Sequence, residues 1–252
     1  MKPGDRVLAA SGGNHAQAVA YMARTLGLHS TVFMPVNTPS NYMNATVEYG
    51  AEVVLTPHIA EALDRMREQS EHGGMAIHPF DDPMVMAGQG TVGLEILEDL
   101  PEATDLIVSI GGGGFIGGIA IAAKAIKPSI RIWGVETVGA DAMSQALAAG
   151  EPVQLAEITS IAKTLGAPKV SETTLAIAQK YLENVTVVPD AEAVAAMHFL
   201  LERTKILTEP AAACTLAAAD RLHSRFTPDR HIVLVLCGGN ISLADLCAFR
   251  AS

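Results

Sequence analysis

The sequence is poor in charged residues and cysteine and lacks long apolar runs, and each shortage excludes a class of protein. Charged residues make up 17% of the chain and hydrophobic residues 49%, a balance that excludes an intrinsically disordered protein. The three cysteines are odd in number and lack the spacing of a metal site, which fits a reduced cytoplasm. The apolar runs are shorter than the roughly 20 residues that cross a bilayer, and the N-terminus lacks a signal-peptide pattern.

Positive charge is also scarce, because 27 acidic residues outnumber 17 basic ones and the net charge is −10. An acidic surface repels polyanions, so we expect neither nucleic acid nor an anionic membrane as a partner. A local basic pocket for an anionic small molecule stays open. The length of 252 residues is sufficient to bury a substantial core.

Short β-branched runs alternate with longer helical patterns along the chain, and this alternation predicts an α/β fold. Several runs are apolar nearly throughout, which indicates parallel strands that helices cover on both faces. We predict strands at Arg6–Ala10, Thr31–Pro35, Glu52–Thr56, Met75–His78, Asp105–Ile110, Arg131–Glu136, Val185–Val188 and His231–Leu236. We predict helices at His15–Leu26, Ser40–Tyr49, Ala60–Glu71, Pro83–Leu97, Ile116–Ile126, Asp141–Ala149, Glu172–Glu183, Ala191–Thr204 and Ala211–Ser224.

Polar residues mark two boundaries in this pattern. The polar stretch Asp99–Thr104 is predicted to divide a smaller lobe, residues 1–100, from a larger lobe, residues 101–252. Asp190 is predicted to be the N-cap of the helix that begins at Ala191.

A run of four glycines follows the predicted strand at Asp105–Ile110. It consists of Gly111, Gly112, Gly113 and Gly114. One or two glycines are sufficient for a tight turn, and four cost backbone entropy without adding packing. Their bare N–H groups at a helix N-terminus suit an anion, so we predict a phosphate cradle. The P-loop and dinucleotide patterns are not matched, although Glu136 at the next strand end keeps a dinucleotide as an alternative.

Two further loops lie at predicted strand ends, where ligands bind in open α/β sheets. The first loop consists of Ser11, Gly12, Gly13, Asn14 and His15. Its polar groups suit a carboxylate or a phenolic oxygen, and the alternative is that Ser11 or Asn14 only caps the next helix. The second loop is Cys237–Asn240, where a lone cysteine is more often buried packing than a ligand.

Five segments, in this order, resemble the threonine/serine dehydratases and their relative serine racemase, which are fold-type II pyridoxal-phosphate (PLP) enzymes. The segments are ASGGNHAQAVAYMARTLG, HPFDDPMVMAGQGTVGLEIL, IGGGGFIGGIA, LTEPAAA and VLCGGNISL. The resemblance runs from about Val7 to about Leu243, and five ordered motifs are far more specific than one glycine motif. It implies the tryptophan synthase β-like fold, with two open parallel-sheet lobes that carry helices on both faces.

The resemblance also implies roles for residues. Asn14 would contact the 3′-oxygen of PLP, Gly111–Gly114 would hold its phosphate, and Cys237 would face its pyridine nitrogen. Glu209 would line the same pocket. The substrate carboxylate would be held by the loop that consists of Ser11, Gly12, Gly13, Asn14 and His15. A neutral thiol cannot hold a protonated pyridine as an aspartate would, which favours β-elimination of a hydroxy amino acid to a 2-oxoacid and ammonia.

The Schiff-base lysine of this family has no counterpart in the sequence, so no catalytic residue is assigned. In the family this lysine precedes the asparagine loop in a segment that resembles Ser-Phe-Lys, and it usually also removes the α-proton. The seven lysines of the chain all lie in other contexts. We expect that an N-terminal segment is missing and that the chain alone has little activity. The alternatives are a non-catalytic protein that binds PLP or a phosphate ligand, and an inactive fragment.

Two other positions depart from the family. Gly12 stands where serine racemase has a second serine that acts on the opposite face of the substrate, so we expect no racemisation. Lys163 stands in the place of an aspartate that belongs to a divalent-cation site in relatives, so we expect no metal site. The substrate is a small hydroxy amino acid whose identity the sequence leaves open, and the resemblance implies a homodimer or a homotetramer.

Overall fold

Eight strands, ten α-helices and two short 3₁₀ helices form within residues 1–249, the part of the chain that the computed structural model describes. The strands are β1 (Arg6–Ala10), β2 (His29–Pro35), β3 (Glu52–Thr56), β4 (Met75–Ala76), β5 (Asp105–Ser109), β6 (Arg131–Thr137), β7 (Leu182–Val188) and β8 (Ile232–Leu234). The helices are α1 (Asn14–Thr25), α2 (Ser40–Glu48), α3 (Ile59–Glu71), α4 (Pro83–Asp99), α5 (Gly114–Ile126), α6 (Ala142–Ala149), α7 (Glu172–Tyr181), α8 (Asp190–Thr204), α9 (Pro210–Leu222) and α10 (Leu243–Ala248). The 3₁₀ helices are Lys163–Leu165 and His223–Arg225.

The first unit, Met1–Asp82, is built on a four-stranded parallel sheet in the order β3-β2-β1-β4. Side chains of neighbouring residues in a strand point to opposite faces of a sheet. Ala9 and Val32 accordingly pack against α1, whereas Leu8 and Phe33 pack on the other face against α3. Helices therefore cover both faces, as the apolar strand pattern predicts.

The second unit, Pro83–Ser252, contains a second four-stranded parallel sheet in the order β7-β6-β5-β8. Strand β5 is buried along its whole length. Leu106 and Val108 face the side on which α5 packs, and Ile107 faces the side on which α8 and α9 pack. The predicted α/β fold with two parallel sheets is thus confirmed.

Helix α4 belongs to the second unit because its backbone lies directly against that of α5. A Cβ atom on Gly90 would lie 3.0 Å from the carbonyl oxygen of Gly118, and one on Gly93 would lie 2.9 Å from that of Ile119. A Cβ atom on Gly118 would in turn collide with the carbonyl oxygen of Met86. The two compact units therefore divide before α4, and the lobe boundary predicted after residue 100 stays a prediction.

Strand β8 differs from its prediction in length and in burial. It covers Ile232–Leu234 rather than His231–Leu236, and Val233 and Leu234 are only half-buried. In the described sheet, β8 is an edge strand that pairs with β5 alone, so fewer side chains cover it. The expectation of burial on both faces is correct for β5 and wrong for β8.

The sequence predicts that Asp190 is the N-cap of α8, and this prediction is wrong. The helix begins at Asp190 itself, and the N-cap is Pro189, which follows β7 directly. The Asp190 carboxylate accepts hydrogen bonds from the Ser160 hydroxyl at 2.6 Å and from the Ile161 N–H at 3.0 Å. It therefore fixes a distant loop, which a local sequence pattern cannot reveal. None of the described helices combines the length and the apolar composition needed to cross a membrane.

Candidate functional site

The four-glycine loop connects the end of β5 to the start of α5, at the carboxyl edge of the second sheet. Gly113 has a φ of 92°, in the left-handed region that glycine adopts readily. Within residues 1–249, the N–H groups of residues 111 to 116 donate to no backbone carbonyl. The next N–H group, that of Gly117, donates to Gly113 O at 2.9 Å. The N–H groups of residues 111 to 116 therefore form a row of donors that the described protein atoms leave unsatisfied.

The loop is also tightly packed, most of all at Gly113. A Cβ atom on Gly113 would lie 2.8 Å from both Met143 Cε and Thr174 Cβ, and one on Gly111 would lie 3.3 Å from Leu165 Cα. Conformation and packing thus both require glycine at position 113. An anion bound to the amides would be favoured by their partial positive charge and by the dipole of α5.

Cys237 lies at the same sheet edge, just beyond β8, next to the strand that precedes the glycine loop. Its sulfur is 3.3 Å from the hydroxyl oxygen of Ser109, the last residue of β5. Removal of water from the sulfur raises the pKa of the Cys237 thiol, and the nearby Glu209 carboxylate raises it further. Hydrogen bonding by Ser109 acts in the opposite direction but does not prevail. The thiol is therefore neutral at physiological pH.

Glu209 precedes α9 and lies beside the cysteine loop. Its carboxylate accepts a hydrogen bond of 2.7 Å from the Thr164 hydroxyl, and its N–H donates to Gly238 O at 3.0 Å. A Cβ atom on Gly238 would lie 2.7 Å from Glu209 Oε1, so the carboxylate occupies the space that this glycine leaves. Sequence reasoning identified Glu209 but missed Thr164 and Ser109, whose partners are 45 and 128 residues away in the chain.

A hydrogen-bonded network connects the segment that contains Lys163 to the end of β6 and the start of α8. The Ser160 hydroxyl oxygen lies 2.8 Å from Thr137 Oγ1 and accepts from the Ala162 N–H, while its proton goes to Asp190. Lys163 itself is exposed on the 3₁₀ helix. Its predicted effect on cation binding stays a prediction.

In the first unit, the predicted asparagine loop connects β1 to α1. Its N-cap is Gly13, which has no side chain with which to cap the first turn of α1. The Ser11 hydroxyl oxygen instead accepts a hydrogen bond of 3.1 Å from the Gly13 N–H, which leaves the hydroxyl proton available to a ligand. The Ser11 side chain thus binds the N–H of the N-cap residue rather than one in the first turn of α1, and the alternative that Asn14 caps the helix stays open.

The imidazole of His15 has a structural partner. Its Nε2 atom donates a hydrogen bond of 2.9 Å to the carbonyl oxygen of Ile77, just beyond β4. Burial lowers the pKa of His15 below its ordinary value, so the ring is neutral at physiological pH. A neutral ring whose one N–H is already used has no donor left for an anion. Any contact between His15 and a carboxylate therefore falls to its backbone N–H in the first turn of α1.

Glu136 is the penultimate residue of β6, and it was the residue that kept a dinucleotide ligand open. It is fully buried, and its two carboxylate oxygens accept the N–H groups of Met143 and Ser144, each at 2.8 Å. Burial raises the pKa of Glu136 to about 7. The carboxylate caps the start of α6 and cannot also bind a ribose hydroxyl. The dinucleotide alternative thus loses its acidic residue.

Comparisons with known proteins identify the family of the chain. A family described as "Pyridoxal-phosphate dependent enzyme" matches residues 1–238. The L-threonine ammonia-lyase of Geobacter sulfurreducens is 45% identical over 243 residues, which cover 95% of this chain and 60% of that protein. A catabolic L-threonine dehydratase of Staphylococcus aureus is 37% identical over 241 residues, or 94% of this chain and 70% of the relative.

Solved structures share the fold. The structure of maize serine racemase is 36% identical, with a TM-score of 0.89 over 96% of this chain and 75% of that one. The chain spans only about three fifths of the length of its first curated relatives, namely 60% for Geobacter sulfurreducens and 59% for Thermotoga maritima.

Proposed function

Because the chain belongs to the family of pyridoxal-phosphate-dependent enzymes, we propose that it is the greater part of a threonine/serine ammonia-lyase. The reaction is the β-elimination of a hydroxy amino acid to a 2-oxoacid and ammonia. The row of unsatisfied amides from residue 111 to residue 116 is the single observation that carries the proposal. The names of the Geobacter and Staphylococcus relatives support threonine as a substrate. The substrate assignment among hydroxy amino acids rests on those names alone.

The residues of the second unit fit the phosphate and the ring of PLP. The amides at the start of α5 offer the phosphate several donors, and Gly113 needs the conformation that forms such a concavity. The Cys237 thiol offers the ring nitrogen one weak donor, and Glu209 lines the same edge. These groups would hold the cofactor by its two ends without a covalent bond.

PLP, when bound, supplies the electron-withdrawing ring that labilises the bonds at the substrate α-carbon. This chain tunes that chemistry through Cys237. A neutral thiol donates a hydrogen bond but does not supply a negative charge that would hold a protonated ring nitrogen. With such a partner for its ring nitrogen, PLP would stabilise negative charge at the substrate α-carbon only weakly. The pocket thereby favours elimination over racemisation.

In the first unit, we assign the substrate carboxylate to the loop between β1 and α1. The Ser11 hydroxyl proton and the N–H groups at the start of α1 are suitable donors, since a carboxylate is favoured at a helix N-terminus. Asn14 is assigned to the 3′-oxygen of PLP by resemblance. His15 fixes the loop to the end of β4 by its imidazole and offers its backbone N–H to the substrate.

The proposed reaction also needs a lysine that the 252 residues do not place in a matching context. Lys124, Lys127 and Lys205 direct their ammonium groups to carbonyl oxygens at 3.5 Å or less. Lys180 lies over the ring of Tyr181. We therefore propose that the chain binds PLP but does not by itself catalyse elimination.

The test compares ligands by thermal unfolding of the chain. PLP should raise the unfolding temperature, pyridoxal without its phosphate should have a much smaller effect, and inorganic phosphate should have an intermediate one. Equal shifts with PLP and pyridoxal would contradict the phosphate assignment. After reduction of the PLP mixture with borohydride, peptide mapping should find no single stoichiometrically labelled lysine.

A second candidate function is a non-catalytic protein that binds PLP or another phosphate ligand, and the missing lysine favours it. An experiment that supplies the missing lysine separates the two functions. A segment that contains Ser-Phe-Lys is either added as a separate peptide or fused to the chain. Production of 2-oxobutanoate from L-threonine after this addition supports the ammonia-lyase, and tight PLP binding without turnover supports the second function. An oligomeric state of two or four and a cytoplasmic location remain part of the proposal and are tested by sedimentation and by cell fractionation.

A further inference from the structure

Ser109 is the one buried polar side chain at the carboxyl end of β5, and its hydroxyl touches the thiol of Cys237. The two atoms are 3.3 Å apart, within the range of a hydrogen bond to sulfur. Ser109 is 3% exposed, so its hydroxyl must find its partners inside the protein. Within residues 1–249 the Cys237 sulfur is the only hydrogen-bond partner of this hydroxyl.

The chemistry of the two groups decides which one donates. A hydroxyl is the stronger donor, whereas a thiol is a weak donor and a weak acceptor. A buried O–H group without another acceptor directs its proton to the sulfur, since an unmade hydrogen bond costs more than a weak one. The S–H bond of Cys237 is then not used by Ser109 and can turn elsewhere.

The two residues differ in exposure. Ser109 is buried, whereas Cys237 as a residue is exposed. The glycine loop begins two residues after Ser109, so the same edge carries the amide donors proposed for the phosphate.

We propose that Ser109 is a positioning residue whose O–H donates to the Cys237 sulfur and thereby aims the S–H bond at the ring nitrogen of PLP. This inference rests on the proposed function, because it assumes the cofactor that the function requires. Ser109 itself does not touch the cofactor in this arrangement. It sets the direction and the proton affinity of the group that does.

The test measures the pKa of Cys237 without any cofactor, from the pH dependence of alkylation by iodoacetamide. Cys247, which is exposed, is first replaced by serine. Cys214 can stay, because it is fully buried and burial strongly raises the pKa of its thiol, so this thiol does not react. If Ser109 donates, it stabilises the thiolate, and its loss raises the pKa of Cys237. We expect alkylation of Ser109→Ala to be about tenfold slower below the pKa, in line with a hydrogen bond to a charged group.

Two variants of equal shape isolate the hydroxyl from packing. Ser109→Thr keeps the hydroxyl and should retain the original pKa, whereas Ser109→Val differs from it only in that group and should behave like Ser109→Ala. Ser144→Ala is the matched control, because the Ser144 hydroxyl is buried and has no hydrogen-bond partner among the described residues. It should leave the titration unchanged. A lower or unaltered pKa in both folded variants that lack the hydroxyl overturns the inference.

Repeating the alkylation with PLP distinguishes this inference from the proposed function. PLP should protect Cys237 in the chain with Ser109, and protection should weaken in Ser109→Val more than in Ser109→Thr. A hydroxyl effect on the pKa without protection by PLP would count against the placement of the cofactor. Protection by PLP without an effect of the hydroxyl on the pKa would count only against the role of Ser109 and would leave the proposed function standing.

Discussion

The hydroxyl oxygen of Thr38 occupies the space where a side chain at position 12 would begin. A Cβ atom built on Gly12 would lie 2.5 Å from Thr38 Oγ1. The racemases that the chain resembles carry a serine at this position, and here such a serine would first have to displace the threonine. A side chain at position 12 therefore requires the Thr38 side chain to rotate.

We expect Gly12→Ala to destabilise the chain by about 1 kcal/mol, because the Thr38 side chain must rotate to make room. Thr38→Ala should remove that cost, so the double variant should be more stable than the sum of the single variants predicts. Urea denaturation of the four chains measures this coupling. Strict additivity would show that the two positions do not interact.

Gly113→Ala should both destabilise the chain and weaken PLP binding. The alanine meets a φ of 92° and two carbon atoms at 2.8 Å, which together cost on the order of 2–4 kcal/mol. Gly150→Ala is the matched control, since Gly150 has a φ of 78° but no atom within 4 Å of the added Cβ. Thermal unfolding with and without PLP compares them. Equal losses of PLP affinity in both variants would contradict the cradle.

Glu136 should make stability fall as the pH rises towards neutrality. Because burial raises its folded-state pKa to about 7, the folded chain keeps this proton where the unfolded chain has lost it. The resulting stabilisation is complete below the unfolded pKa of about 4.3 and disappears as the pH rises through about 7. Glu136→Gln should flatten this part of the pH dependence of unfolding by urea. The exposed Glu157→Gln should not, and a similar slope in the wild type and Glu136→Gln would refute the assignment.

Asp190→Asn should loosen the segment that carries Lys163 and Thr164. The carboxylate holds two donors, and an amide has one acceptor oxygen, so at least one bond is lost at a cost of roughly 1–3 kcal/mol. Hydrogen exchange at Ile161 and Ala162 should accelerate. Asp141→Asn serves as the control, because Asp141 makes no side-chain capping bond to α6. Unchanged exchange at both amides would show that Asp190 does not hold the segment.

Local pattern was sufficient to predict most of the fold. The bounds of β1 and β3 agree with the prediction to the residue, because apolar runs there are flanked by clear turn or polar residues. Helix α10 was missed, since its six residues show no repeating apolar face. The 3₁₀ helix at Lys163–Leu165 was missed for the same reason.

The site was predictable only where a motif lies within one loop. The glycine loop and the cysteine loop are contiguous in sequence, so their chemistry is visible there. Thr164, Ser109 and the capping role of Glu136 depend on contacts between elements that are far apart in the chain or on the burial that packing creates. Asp190 shows the same limit. An acidic residue at the start of a helix fits an N-cap pattern, but the partners of Asp190 lie about 30 residues away in the chain.

The close contact between α4 and α5 bears on how this protein tolerates sequence drift. Backbone atoms of one helix fill the space that side chains on the other would need at Gly90, Gly93 and Gly118, and backbone cannot rotate aside as a side chain does. Gly88, two residues before Gly90, has nothing within 4 Å of an added Cβ. In a library of variants selected only for solubility, Gly90, Gly93 and Gly118 should therefore stay glycine, whereas position 88 should vary freely.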